Sequence, residues 1–151
     1  MNKNDDIKIN EFIENKVNSK NILSLYQIAS IYKLASLTKQ TFNSIERCFT
    51  MLTEKPDFVE LEYSLVAKIF ASSELYITSE LEVFNAGNEW LSYNIEERRG
   101  FAEDLLQKVR LPLLSDHALK SLLKQTSCFT TIDACVKIIK EALDNNKNWN
   151  R

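Results

Sequence analysis

Two glycines in 151 residues, Gly87 and Gly100, constrain this chain more than any motif does. Sheets need tight turns, and phosphate-cradling loops and propeller blades need backbone freedom that glycine supplies. Two glycines and two prolines therefore leave room chiefly for helices joined by short connectors. The length suits one domain rather than two, since a domain of this size buries roughly 70% of its unfolded surface. The predicted fold is all-α, built from stacked antiparallel helical hairpins.

The apolar spacing places the helices. Residues 1–20 read as a polar start with a short amphipathic helix on Ile9, Phe12, Ile13 and Val17. Ser19 or Asn21 is positioned to cap the next helix, which is predicted over Ile22 to Ala35 with Leu25, Ile28, Ala29 and Tyr32 as its buried stripe. A second helix, from Ser36 or Thr38, carries Phe42, Ile45, Phe49 and Leu52 and completes a hairpin. Pro56 ends it, and Asp57 is expected to cap a short turn with Phe58, Val59 and Leu61. Leu65, Val66, Ile69 and Phe70 mark a further helix, stopped by Ser72 and Ser73, and Leu75 to Ile77 should be extended.

Ser79 and Glu82 have the spacing of a capping box. They open a helix whose stripe Val83, Ala86, Trp90 and Tyr93 is widened by Leu81, Phe84 and Leu91, so it should be central. Gly87 inside it costs about 1 kcal/mol relative to alanine, which either a close neighbour or a bend would explain. Glu96 and Glu97 start the next helix, with Phe101, Leu105, Leu106 and Val109 as its core face. That helix runs into Val109-Arg110-Leu111-Pro112-Leu113-Leu114-Ser115. Proline lacks an amide hydrogen and disfavours helical geometry before it, so the helix should stop near Leu111. Leu111, Pro112, Leu113 and Leu114 are then expected to plug into the core as a connector. Arg110, a charge in an apolar run, must reach water, a carbonyl or a carboxylate and so anchor it. A helix with Leu119, Leu122 and Leu123 follows, then one with Ile132, Cys135, Val136, Ile139 and Leu143, and a polar tail at 145–151.

The chemistry is sparse. A net charge of −2 and a pI near 5.5 argue against nucleic acid as a partner. No apolar run is long enough for a membrane span, and the polar start does not look like a signal peptide, so the expected location is cytoplasmic or nuclear, with Cys48, Cys128 and Cys135 reduced. His117, the single histidine, reads as a surface or capping residue, and with the cysteines it falls short of a four-ligand zinc site. Glu80 and Glu82 do not share a helix face. Arg98 and Arg99 are expected to pair with neighbouring glutamates, and Trp90 to be core. No catalytic residue, cofactor or metal is expected.

Several of these pieces stand in a known order: Ser72-Ser73-Glu74-Leu75, Ser79-Glu80-Leu81-Glu82-Val83-Phe84, Glu89-Trp90-Leu91, Glu96-Glu97-Arg98-Arg99 and Val109 to Ser115. Together they resemble the BACK domain of BTB-kelch proteins, over about Ile9 to Leu143. Glu74 stands where that family usually has aspartate, and Gly87 replaces a better helix former. The resemblance divides the chain into a remnant of a last BTB helix within 1–20, a BACK-like helical domain at 21–144 and the tail. It implies a non-catalytic linker from substrate adaptors of cullin-RING ubiquitin ligases, whose first hairpin adds to the cullin surface. Leu23, Tyr26, Ser30 and Lys33 are the corresponding candidates for a cullin-facing surface. Neither a full BTB domain nor kelch repeats can be read in these residues, so the expectation is an isolated form, monomeric in the absence of the BTB dimer. The alternative is a self-contained helical regulator that no longer contacts a cullin.

Overall fold

The computed structural model describes residues 3, 4, 7, 8, 11 and 17–149, and every regular element among them is helical. Helix α1 (Ile22–Ile31) and α2 (Ala35–Arg47) form the first hairpin. The short helices α3 (Phe49–Thr53) and α4 (Pro56–Val59) lead to α5 (Tyr63–Ala71), and a non-helical crossing leads to α6 (Glu80–Tyr93). Then come α7 (Ile95–Arg98), a 3-10 turn at Arg99–Phe101 and α8 (Ala102–Lys108). After the connector, α9 (Asp116–Lys124) and α10 (Asp133–Trp149) pair as a second hairpin. Of the predicted amino-terminal helix, Ile9, Phe12 and Ile13 lie outside the described residues, whereas Val17 packs partly buried against the core.

The turn between α1 and α2 is a Schellman motif. The Leu34 amide donates to the Ala29 carbonyl at 2.9 Å and the Lys33 amide to Ser30 at 3.2 Å, while Leu34 packs on Ala29 and Leu37. Lys33 therefore has φ 54°, the one positive φ at a non-glycine among the described residues. A side chain there costs about 1 kcal/mol relative to glycine. The helix consequently stops at Ile31 and not at Ala35. The predicted second helix is likewise two, interrupted at Cys48. Pro56 takes the first position of α4 and Asp57 caps nothing.

Helix α6 is the central element: Val83, Phe84, Ala86, Trp90 and Leu91 are all buried. Tyr93, predicted to continue the stripe, is 57% exposed because the chain leaves the core at the end of α6. Gly87 marks a close approach. A Cβ built there would lie 3.0 Å from Phe129 Cζ, 3.2 Å from Phe70 Cε2 and 3.4 Å from Leu105 Cδ2. Three elements thus press against α6 at one point, and both aromatic rings are fully buried.

The start of α6 is a shifted capping box. Ser79 Oγ accepts from the Leu81 amide at 3.2 Å, and Glu82 reaches past Ser79 to accept from the Thr78 amide at 3.0 Å and the Thr78 hydroxyl. Its second oxygen accepts from the Thr50 hydroxyl, which ties α6 to α3. Helix α10 continues through residue 149, into the polar stretch read as a tail.

Gly87→Ala should lower stability by about 1 kcal/mol in urea unfolding, since overpacking two fixed rings outweighs the gain in helix propensity. A more stable alanine variant would contradict the close packing. The hydroxyls of Thr50 and Thr78 hold the Glu82 carboxyl below its usual range. A carboxyl lowered on folding stabilises in full above its unfolded value, near 4.5, and loses that contribution as pH falls through its folded value. The stability gap between the wild-type chain and Glu82→Gln should therefore narrow on acidification in that window, measured by thermal melts; a gap that widens would contradict it.

Candidate interaction surface

The connector is built by a local conflict. Pro112 prevents α8 from continuing, so residues 111–113 make a single 3-10 turn, and its geometry splits the apolar run. Leu111 and Leu114 turn inward with Val109 and are buried. Leu113 is 72% exposed and Pro112 is exposed as well, a correction to the expectation that the whole run fills the core. Arg110 Nη2 donates to the Ser72 carbonyl at 3.2 Å, its Nη1 lies 3.8 Å from Glu80 Oε1, and its backbone amide donates to Glu80 Oε2 at 3.0 Å. On the far side, Asn146 Nδ2 donates to the Leu114 carbonyl at 3.0 Å. The Ser115 hydroxyl caps α9 by accepting from the Ala118 amide.

Ser72 joins this assembly to the first hairpin. Its hydroxyl donates to the buried Glu46 carboxylate and accepts from the Glu74 amide, while the Tyr76 amide donates to the Glu46 carbonyl. The connector is thus a structural joint fastened to three helices.

Arg98 departs from expectation. Glu97 and Glu62 act on its charge, but its direct contacts are others: the guanidinium lies 4.1 Å from the centroid of the Trp90 ring and donates to the carbonyls of Val59 and Trp90, both at 2.6 Å. The Trp90 indole donates to the Leu61 carbonyl at 2.8 Å. A planar cation on an indole face with carbonyls at its edge is what guanidinium geometry favours. Nothing in the local spacing pointed to it, since its partners come from α4 and α6.

Two of the three thiols have a resolved environment. Burial pushes the Cys135 thiol up to about 11 and raises that of Cys128, which keeps both protonated near neutrality, and a protonated thiol is a poor nucleophile. His117 is exposed in the first turn of α9.

The surface that stands out is the first hairpin. Leu23 and Tyr26, expected to face a partner, are 6% and 8% exposed and belong to the core. The expected core positions Ile28 and Tyr32 face solvent instead: Ile28, Ile31 and Tyr32 are 48%, 73% and 72% exposed. Helix α1 is therefore rotated about its axis relative to the predicted stripe, and it buries Ile22, Leu23, Tyr26 and Ala29. Ser30 and Lys33 are exposed beside the outward stripe. Beneath it, Lys68 of α5 donates to the Tyr26 hydroxyl at 2.9 Å and stands 4.6 Å from the centroid of the Phe42 ring.

Comparison with known proteins bears on this geometry. The family model BACK, described as BTB And C-terminal Kelch, matches residues 22–124. The chain is similar to Kelch repeat and BTB domain-containing protein 3 of Pongo abelii and of Homo sapiens. It is 30% identical to each over 137 residues, which are 86% of this chain and 22% of the relative. The chain thus spans about a fifth of the length of these curated relatives.

Arg110→Met should lower stability by about 1–2 kcal/mol, because it leaves the buried Glu80 carboxylate without its cation, an effect tempered by the partial exposure of the arginine. An unchanged melting temperature would remove Arg110 as the fastening of the connector.

Proposed function

Because the chain belongs to the BACK family, we propose that it is a non-catalytic protein-interaction module, the helical linker of a BTB-kelch type adaptor, and that its first hairpin meets a cullin scaffold. The observation that carries this reading is the outward stripe Ile28, Ile31 and Tyr32 on α1. These residues stand at positions i, i+3 and i+4, so they form one surface. Other large apolar side chains are exposed as well, Tyr76 and Leu113 among them, but Ile28, Ile31 and Tyr32 stand together on one helix face, and such a grouping supports a contact surface. In the resembled family the same hairpin adds to the cullin surface. The relatives are named for kelch repeats and a BTB domain, and a rigid helical joint between two such parts is what the fastened connector would supply.

The non-catalytic part rests on chemistry. The raised thiols of Cys128 and Cys135, and an exposed His117 at a helix start, support it.

Co-precipitation with the amino-terminal half of a cullin tests the reading. Wild-type chain should be retained, and the double substitution Ile31→Asp and Tyr32→Asp should reduce retention at least about tenfold while leaving the helical circular dichroism intact, since both side chains are exposed. No association of the wild-type chain, or undiminished association of the variant, would contradict it.

A further inference from the structure

The concavity at the turn between α1 and α2 runs against the charge of the molecule as a whole. It has a volume of 620 Å³, and its lining includes Lys33, Lys39 and Lys68 together with Tyr26, Thr38 and Phe42. No aspartate or glutamate lines it, in a chain whose net charge is −2. Among the described residues, the ion pairs at 4.0 Å or less are made by other cations, so these three lysines have no internal counter-ion there. Lysines on an ordinary helical surface are free to pair with a carboxylate one turn away.

Two features show that the cluster is built. Lys68 is held in place by the Tyr26 hydroxyl and by the faces of the Tyr26 and Phe42 rings, at 5.3 Å and 4.6 Å, so its ammonium is positioned without being neutralised. Lys33 occupies the left-handed position of the Schellman turn, where glycine is the favoured residue. The chain carries a charge at a place where an uncharged residue without a side chain would be more stable. The concavity also continues, through Tyr26, Ser30 and Lys68, into a second hollow of 620 Å³ whose walls include Ile31 and Leu65. One groove therefore has a basic end and a more apolar end, the latter also lined by Glu62.

We propose that this groove binds an acidic peptide segment of a partner protein, with its carboxylates against Lys33, Lys39 and Lys68 and its apolar side chains against Ile31 and Leu65. The occupant follows from charge complementarity, because unpaired ammonium groups in a concavity select anions. Three separate ammonium groups, each a compact charge with rotatable donors, suit carboxylates spaced along a chain better than one planar fork would. The inference deepens the reading of the hairpin as an interaction surface and rests on it.

Fluorescence anisotropy of the full chain with a fluorescein-labelled peptide of repeated Leu-Glu-Glu units tests the proposal. That peptide should bind, bind more weakly as salt rises, and outcompete the same peptide with glutamine for glutamate. The pair Lys33→Glu and Lys39→Glu should weaken binding about tenfold or more, and Lys39→Glu alone about threefold, both side chains being exposed. Lys33→Gly gives opposite signs: its melting temperature should rise by about 2–4 °C while its affinity falls about threefold. Equal binding of the glutamine peptide, or unchanged affinity in the charge-reversed pair, would overturn the proposal. If the acidic peptide fails to bind while the cullin fragment is still captured through Ile31 and Tyr32, this inference falls and the interaction reading stands.

Discussion

The carboxylate of Glu80 is the interaction on which the joint depends. It sits at the first position of the central helix, 7% exposed, where a negative charge is favoured by the helix dipole. One oxygen accepts from the backbone of the connector and the other faces the Arg110 guanidinium, which also reaches the carbonyl closing α5. A single buried acid thus fixes the end of one helix, the start of the next and the entry to the connector. Without it, Arg110 would lack a reason to lie across Ser72, and Leu111 would lose the anchor that turns it inward. Asn146 holds the exit of the connector through the Leu114 carbonyl.

The fold class was legible because glycine and proline are so scarce. Helical spacing alone then located the core of α5 and much of that of α8 and α10; Phe101, read as part of the α8 core face, is instead 40% exposed, because it falls in the 3-10 turn before that helix. Phase was harder to read where a helix is apolar on more than one side. In α1 the run Ile22-Leu23-Ser24-Leu25-Tyr26-Gln27-Ile28-Ala29 offers two stripes of similar hydrophobicity, and only packing against α2 and α5 decides between them. Helix ends without a glycine or proline signal were misplaced for the same kind of reason. The Schellman turn puts lysine where glycine is expected, so nothing in the sequence announced it. Asparagine and lysine at 145–148 have no apolar pattern from which the end of α10 could be read, nor the contact of Asn146 with the Leu114 carbonyl.

Long-range polar contacts were the least legible part. Arg110 has to find a partner on general grounds, yet which carboxylate and which carbonyl could not be read from spacing, since Glu80 and Ser72 are 30 and 38 residues away. Arg98 reads by spacing as a partner of its neighbours in sequence, the default for a charged cluster, whereas its stacking on Trp90 depends on α4 and α7 both ending near the indole. The lysine groove draws Lys33, Lys39 and Lys68 from three elements, and only the fold brings them together. Physics that acts between residues i and i+4 is written in the sequence; physics that acts across a fold is not.

The joint and the hairpin divide the labour. The connector, with its buried acid and its split leucines, is fastened to three helices, and in the proposed function the outward face of α1 meets a partner. Hydrogen exchange on the full chain, with and without the amino-terminal half of a cullin, tests that division most directly. Slower exchange confined to α1 and the turn at 32–34, with the connector at 109–115 unchanged, is the predicted result. Protection centred on the connector, or none in α1, would contradict it.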